Sequence, residues 1–493
     1  MKSTHPVPIP RSRIVIFPSI LALVLGAAFS SRTAGAQSAC TAATASPRTN
    51  DTNVLAGLAQ VTVLPKTPAG KVALAVNYVV TGDIQTGVVR QPTLLPFAVQ
   101  QQQALRDASI TSQNLSNLAD GLGTTLGAAY LTRFHSLDRN RGTPLPTDIV
   151  NVVSYANTIT YAHSNEGKYL FGNGTSDGAN PASPEKLAIV KDAGGQFDVF
   201  GVSYSLPAGA AGADPCGNSR PFQTIPDVLR FVGPDYFNLA TGNVAYNRGP
   251  LSDLTKSPSY PSGHTTYGYT GALLLAVLVP SRYQEMMVRA AEYGNDRILM
   301  GAHYAMDVIA GRTLATYDLA HLLANDPNYV YQTLPGVTTV TDFRGDIVHA
   351  RACLRKFLED SCGAAISDCA HQDLGRFNNP AANEAFYAST QTYNLPAVDP
   401  TKVTQPEDVD KIAPDAGWLL VAAFPSLTLP QANQILTETE GPGGGFLDDG
   451  KEFGIYSRLN LYAAAGRAAQ LAPYKAADDP KPDKCDAPPP SSK

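Results

Sequence analysis

Two short stretches near the middle of the chain carry residue types that suit transfer of a phosphoryl group. The first is the run Pro-Ser-Gly-His at residues 261–264, which places a histidine beside a Ser-Gly turn. The second is Arg297, followed by His303 and then by Asp307. Phosphate-ester hydrolysis needs positive charge on the phosphoryl oxygens, an in-line nucleophile and a proton for the leaving oxygen. Both stretches together offer a candidate for each of these three needs.

The nucleophile and the acid are predicted to be histidines. His303 can attack phosphorus only as a neutral imidazole with one bare nitrogen, and Asp307 could accept the N–H of the other nitrogen and fix that tautomer. The spacing of four residues predicts that both side chains lie on the same face of a helix. His264 is then the candidate general acid.

Phosphate binding is predicted to involve four further residues. Arg220 and Arg297 carry planar guanidinium groups that suit phosphate oxygens. Ser262 and the backbone amide of Gly263 lie at a predicted helix start, where free amides and the helix dipole favour an anion. That position disfavours a charged His264, whereas a bound phosphate favours it. A bell-shaped rate profile on the acidic side is therefore expected.

Hydrophobic periodicity predicts a mainly α protein that positions these side chains. One helix is expected from Gly263 to just before Pro280, and another from about 302 to 323. The leucines at 115, 118, 122 and 126 are typical of one apolar helix face. The spacing of apolar residues in 61–80 is ambiguous, and 72–80 could form a strand. Glycine and proline in 206–262 predict a long irregular segment.

The N-terminus predicts export. Residues 1–36 combine a basic start, an apolar run at 14–29 and a small-residue cleavage site ending at Ala36, as in a signal peptide. A membrane anchor is the disfavoured alternative, because the run is shorter than about 20 apolar residues. Removal of 1–36 takes away four basic and no acidic residues, so the net charge changes from −5 to −9. An acidic mature chain has no general attraction for nucleic acid.

Six cysteines follow the predicted cleavage site, and their even number suits up to three disulfides with fifteen ways of pairing. A zinc site at Cys353, Cys362 and Cys369 is disfavoured because the sequence contains no Cys-x-x-Cys motif.

The predicted organisation is a loose leader at 37–52, a helical catalytic domain at 53–330, a C-terminal extension at 331–472 packed on the core, and a disordered proline-rich tail at 473–493.

The motifs resemble those of the bacterial class A non-specific acid phosphatases. These enzymes belong to the phosphatidic acid phosphatase type 2 superfamily, which also contains the vanadium haloperoxidases. The matching residues lie within about 219–315: Arg-Pro at 220–221, Tyr-Pro-Ser-Gly-His-Thr-Thr at 260–266, and Arg297, His303 and Asp307 running into Ala-Gly-Arg at 310–312. A weaker likeness covers 447–449 and 458–462.

The resemblance implies a helical bundle with long irregular loops, no metal, and hydrolysis of small phosphate monoesters. It also implies a phosphohistidine on His303, a proton from His264, and phosphate contacts from Arg220, Ser262, Gly263 and Arg297. The implied protein is secreted, to the periplasm in a bacterium, and carries no membrane anchor. Oligomeric state is left open.

Two residues depart from the family pattern. The family has a lysine seven residues before the arginine of Arg-Pro, and this chain has Ala213 there. Asp296 stands where a serine is usual. Loss of a charge-assisted contact would cost about 1.5–3 kcal/mol of phosphate binding. Three other lysines could supply the charge, and the sequence does not rank them: Lys168, Lys186 and Lys256.

Two other functions remain as alternatives. A haloperoxidase would hold vanadate as its cofactor on the same residues, with His303 as a ligand, but the missing lysine counts against it; in a phosphatase, vanadate would act only as an inhibitor. An exported phosphate- or anion-binding protein without catalytic activity is the second. A membrane lipid phosphatase is disfavoured because the chain after residue 36 contains no apolar run long enough to span a bilayer.

Overall fold

The described part of the protein is built from α-helices, as the sequence predicts. The computed structural model describes residues 40, 52–88, 95–108, 110, 115–133, 147–228, 254–369, 374–479 and 485. Within these residues no β-strand occurs, and a single isolated bridge joins Thr175 and Pro181. This architecture confirms the mainly α fold class.

The helices are numbered in chain order. The α-helices are α1 Thr52–Leu58, α2 Gln60–Val63, α3 Pro68–Thr86, α4 Phe97–Asp107, α5 Thr124–Arg133, α6 Thr147–Asn173, α7 Pro184–Asp192, α8 Val199–Ser203, α9 Pro221–Thr224, α10 Gly263–Leu278, α11 Tyr283–Leu299, α12 Ala305–Ala324, α13 Phe343–Cys362, α14 Ile366–Cys369, α15 Pro380–Thr392, α16 Val409–Ile412, α17 Trp418–Val421, α18 Leu429–Glu438, α19 Glu452–Ile455 and α20 Leu461–Leu471. Short 3-10 helices include Leu64–Lys66, Leu115–Leu122, Leu254–Lys256, Pro280–Arg282, Gly375–Phe377, Pro400–Lys402, Pro414–Gly417 and Ala476–Asp478.

Helix α10 is the central element of the bundle. Almost every one of its residues is buried, and it packs against α6, α11 and α12. A helix that is apolar on all sides must be surrounded in this way, because each face removes apolar surface from water. Its predicted limits are confirmed, since it begins at Gly263 and ends two residues before Pro280. Helix α10, whose start carries Ser262, Gly263 and His264, is thus surrounded by three neighbouring helices.

Two segments differ from the sequence-based expectation. Residues 72–80 lie within helix α3 and not in a strand. This helix is started by Thr67, whose hydroxyl accepts a hydrogen bond from the amide of Gly70, with a proline at the first helical position. The segment with leucines at 115–126 is not one helix, because Gly123 has φ of +95° and separates a 3-10 helix from α5.

The residues after α12 pack on the helices that carry the candidate site. Tyr283 of α11 donates a hydrogen bond to the carbonyl of Leu419 (3.0 Å), and Arg312 of α12 donates to the carbonyl of Ser457 (2.8 Å). The described residues, from Cys40 to Cys485, belong to one structural unit. The segment predicted as a disordered tail begins with ordered residues, since Asp479 forms an ion pair with the buried Arg351 (2.6 Å).

The six cysteines form three disulfides, which resolves the pairing that the sequence left open. The pairs are Cys40–Cys216, Cys353–Cys485 and Cys362–Cys369. Asp148, His349 and Cys353 come close enough together to hold a metal ion. However, a disulfide sulfur is not a thiolate ligand, so this group does not form a metal site.

Several predictions concern residues outside those described, including most of 1–51, 229–253 and most of 480–493. The signal peptide with its apolar run at 14–29 is among them, as is the leader at 37–52 apart from Cys40 and Thr52. In the part of the chain that the structure describes, no helix is both long enough and apolar enough to cross a bilayer.

Candidate active site

The start of helix α10 provides one wall of the candidate site. Ser262 is its N-cap, and the Ser262 hydroxyl accepts a hydrogen bond from the amide of Thr265 (3.0 Å). Among the described residues, the amides of Gly263 and His264 have no hydrogen-bond partner. First-turn amides of this kind are the donors that a helix offers to an anion.

Gly311 of helix α12 allows the start of α10 to lie close against α12. A Cβ atom at Gly311 would lie 2.6 Å from the carbonyl oxygen of Ser262, which no side chain allows. The amide of Ser262 also donates to the carbonyl of Asp307 (3.1 Å). The glycine of the Ala-Gly-Arg run at 310–312 is therefore needed for the close approach of the two helices.

The link between His303 and Asp307 forms differently from the prediction. Helix α12 begins at Ala305 and not near 302, so His303 lies in the turn before it. Asp307 is in the first turn of α12, and its Oδ2 accepts the amide of Tyr304 (2.8 Å) as well as bonding His303 Nδ1 (3.2 Å). The two residues therefore meet through the helix start and not along one helical face.

The ring of His303 has hydrogen-bonding partners that fix its tautomer. The Nδ1 atom faces the Asp307 carboxylate, which can only accept a hydrogen bond and so requires a proton on Nδ1. The Nε2 atom lies 3.0 Å from Nη1 of Arg220, which can only donate. A neutral His303 thus keeps Nε2 bare. His264 Nδ1 lies 3.3 Å from the same Nε2, so the two histidines share one site.

Arg220 is buried and is oriented by backbone carbonyls. Its Nε donates to the carbonyl of Ser257 (2.8 Å), and its Nη1 donates to that of Ala302 (3.0 Å). The amide of Phe222 donates to the carbonyl of Gly301 (3.0 Å), which ties α9 to the turn before His303. Carbonyl dipoles hold the guanidinium in place without neutralising its charge, so the group can attract an anion.

Arg297 lies in the last turn of α11, where the chain bends back toward His303. The amides of Ala302 and His303 both donate to the carbonyl of Arg297 (3.0 and 3.2 Å), and Gly301 adopts φ of +69° within this turn. Arg297 is buried against the ring of Tyr293, and its Nε has no partner among the described residues. An unpartnered donor at this depth is expected to bind an oxygen of a ligand.

The electrostatics of the site favour neutral histidines and a bound anion. Burial, and then the charges of Arg220 and Lys168, hold the pKa of His303 well below its usual value. Burial, and then the charges of Arg297 and Arg220, lower the pKa of His264 in the same direction. Burial raises the pKa of Asp307, against hydrogen bonds from the Ser259 hydroxyl and the Tyr304 amide.

Sequence reasoning missed two residues of this site. Ser259 donates a short hydrogen bond to Asp307 Oδ2 and thereby fixes the carboxylate that faces His303. Its position two residues before the Pro-Ser-Gly-His run was a signal that could have been used. Tyr304 was missed too, since its amide becomes a donor to Asp307 only because the helix starts at the next residue.

The structure also places Asp296 and the remaining histidines. Asp296 is buried, and burial followed by the charges of Asp107 and Glu292 raises its pKa well above the usual value. Two histidines face carboxylates elsewhere, His163 with Asp318 and His321 with Asp326. His349 lies beside Asp148, and both His135 and His371 are outside the described residues.

Comparisons with known proteins agree with this site. Residues 222–328 match the model of the PAP2 superfamily. A non-specific acid phosphatase of Salmonella typhimurium is 46% identical over 69 residues, which are 14% of this chain and 28% of that protein. An acid phosphatase of Zymomonas mobilis is 38% identical over 103 residues, or 21% of this chain and 33% of that protein. A non-specific acid phosphatase of Providencia stuartii is 25% identical over 207 residues, or 40% of this chain and 78% of that protein.

Two statements follow from these matches. The chain spans about a third or less of the length of the first two of these curated relatives. Residues 222–328 are similar to the PAP2 superfamily, and the chain is similar to proteins named acid phosphatase and non-specific acid phosphatase.

Proposed function

We propose that the protein is a secreted, metal-independent acid phosphatase that hydrolyses small phosphate monoesters through a phosphohistidine. The single observation that carries this proposal is the bare Nε2 of His303, held between Arg220 and His264 while Nδ1 faces Asp307. The relatives named acid phosphatase support the reaction class. The basic, apolar and small-residue pattern of residues 1–36 supports secretion.

The first step transfers the phosphoryl group to the protein. His303 Nε2 attacks phosphorus, the bond from phosphorus to the ester oxygen breaks, and His264 gives its proton to the leaving oxygen. Asp307 stabilises the positive charge that develops on the His303 ring. Arg220 and Arg297 bind the oxygens that remain on phosphorus, together with the first-turn amides of α10.

The second step returns the protein to its starting state. His264, now neutral, takes a proton from water, and the hydroxide attacks phosphorus so that the bond to His303 breaks. The products are inorganic phosphate, a neutral His303 and a protonated His264. Burial lowers the pKa of His264, so after giving up its proton the ring stays neutral and can accept a proton from water. A bound phosphate dianion raises that pKa, so the same group can serve as the acid when substrate is present.

Metal independence is part of the proposal because the side chains themselves supply the charge that the reaction needs. Arg220 and Arg297 provide two fixed positive charges beside the reacting atoms, and His264 provides the proton. Turnover in the presence of a strong chelator would test this point directly.

Trapping the intermediate is the most direct test of the mechanism. Mixing the enzyme with ³²P-labelled p-nitrophenyl phosphate and stopping the reaction in denaturant should give protein-bound label that is lost in acid and kept in base, the stability of a phosphohistidine. Peptide mapping should locate the label on His303. Label on another residue, or turnover without any bound label, would contradict the proposed mechanism.

The pH dependence follows from the lowered pKa of His303. Burial, and then the charges of Arg220 and Lys168, keep the His303 ring neutral, and so able to attack phosphorus, to a pH below the usual pKa of histidine. We therefore expect kcat/KM to vanish only well below pH 6.5, the usual pKa of histidine, where His303 itself is protonated. A profile of kcat/KM for p-nitrophenyl phosphate between pH 3 and 9 measures this loss of activity at low pH. Complete loss at or above pH 6.5 would contradict the assignment.

A further inference from the structure

Lys168 of helix α6 is a buried cation that the mechanism above does not use. Its Nζ donates to the carbonyl oxygens of Pro258 (2.7 Å) and Ser259 (3.4 Å). In the part of the chain that the structure describes, no carboxylate forms an ion pair with it. Since a buried charge is costly unless it is paired, such a group is expected to have an anionic partner at some stage of function.

The ammonium group of Lys168 converges with the guanidinium of Arg220. The carbonyl oxygen of Pro258 accepts hydrogen bonds from both Lys168 Nζ and Arg220 Nη2 (2.7 and 3.3 Å). Burial first, and then the charge of Arg220, lower the pKa of Lys168 well below its usual value. The charge of Lys168 also lowers the pKa of His303. Two cations held this close repel each other, and an anion between them would relieve the repulsion.

The same face of α6 lies against the anion-binding start of α10. Ser164 precedes Lys168 by one helical turn, and its buried hydroxyl has no hydrogen-bond partner among the described residues. A Cβ atom at Gly263 would lie 3.3 Å from Ser164 Oγ and 3.4 Å from Lys168 Cε. The two polar side chains of α6 therefore border the free amides of Gly263 and His264.

We propose that Lys168 binds an oxygen of the phosphoryl group at His303 and supplies the positive charge that Ala213 does not. This inference rests on the proposed function. The positive charge of Lys168 comes from α6, which is far in the sequence from the Arg-Pro run at 220–221. Ser164 of the same helix offers its hydroxyl beside the ammonium group. Three positively charged side chains would then bind the phosphate dianion: Arg220, Arg297 and Lys168.

The geometry also distinguishes Lys168 from the other two lysines. Lys186 forms an ion pair with Glu166, so its charge is already matched. Lys256 is exposed to solvent, where a charge contributes little to the binding of a ligand in a buried site. Among these three lysines, only Lys168 donates to a carbonyl that also binds Arg220, that of Pro258.

The test compares phosphate binding by Lys168→Met and Lys168→Gln with binding by the control Lys256→Met. Inorganic phosphate is titrated into each full-length protein by calorimetry, and its inhibition of p-nitrophenyl phosphate turnover is measured in parallel. We expect both Lys168 variants to bind phosphate about ten- to a hundredfold more weakly and to lose kcat/KM to a similar extent. Lys256→Met should stay within twofold of the wild type.

Two variants are used because methionine at a buried polar position could prevent folding. Lys168→Gln keeps an N–H donor for the carbonyls of Pro258 and Ser259 but removes the charge, and circular dichroism checks that it is folded. Phosphate binding by folded Lys168→Gln within twofold of the wild type would overturn the inference. Wild-type protein that binds phosphate but hydrolyses no ester would contradict the proposed function alone, because the binding comparison would still test Lys168.

Discussion

Replacement of His303 by alanine should lower kcat for p-nitrophenyl phosphate by at least about a thousandfold. The variant lacks the nitrogen that forms the bond to phosphorus in the proposed mechanism. Binding of inorganic phosphate should be largely retained, since Arg220 and Arg297 remain. Steady-state turnover and phosphate titration on the same preparation separate these two effects.

A matched histidine variant provides the control for this experiment. His349→Ala removes a partly exposed imidazole on α13 beside Asp148, outside the candidate site, and should leave turnover unchanged. Unchanged turnover in His303→Ala would show that His303 is not the nucleophile. A wild-type protein that binds phosphate without hydrolysing esters would instead support the alternative of an exported binding protein.

His264→Asn should have an effect that depends on the leaving group. The proposed role of His264 is to protonate the leaving oxygen, a contribution of about 10² to 10⁴ in rate for general acid catalysis. An alkyl phosphate, whose leaving alkoxide is strongly basic, should lose this full factor. An ester of p-nitrophenol, whose leaving phenolate is stable, should lose much less in the step that forms the phosphohistidine.

The measurement is the rate of phosphohistidine formation in single turnovers with both kinds of ester. This step must be observed by itself, because the proposed mechanism also uses His264 as the base when water cleaves the intermediate, and steady-state rates would mix the two roles. Equal losses for both esters would contradict the role of His264 as general acid. A loss confined to substrate affinity would indicate that the ring only contacts phosphate.

Local signals were sufficient to predict the helix that carries His264. The start of α10 follows from N-cap chemistry at Ser262, and its end follows from Pro280. Both signals act within a few residues of the helix ends. The Thr-Pro start of α3 carried the same kind of signal, although the valines around residue 76 made a strand plausible. The predicted start of α12, at about residue 302, was wrong by three residues. The turn that contains Gly301 extends further along the chain than the hydrophobic periodicity indicates.

Contacts between distant segments were beyond sequence reasoning. Lys168 meets the Pro258 carbonyl across 90 residues of chain, and nothing in its helix distinguishes it from a surface lysine. Ser259 became visible only when Asp307 was placed beside it. Such contacts depend on how α6, α10 and α12 pack, which is a property of the whole core and not of any local pattern.

The disulfide between Cys40 and Cys216 has a consequence for when the enzyme becomes competent. It crosslinks residues 176 apart, and Cys216 lies four positions before Arg220. Without this covalent link, only non-covalent contacts would hold the segment that carries Arg220. Bringing residues 40 and 216 together would then cost chain entropy that the disulfide removes. We therefore expect reduction of this disulfide to lower phosphate binding and turnover in the proposed phosphatase. Under the proposed secretion, the segment that carries Arg220 would be secured only in an oxidising compartment, where such a disulfide persists.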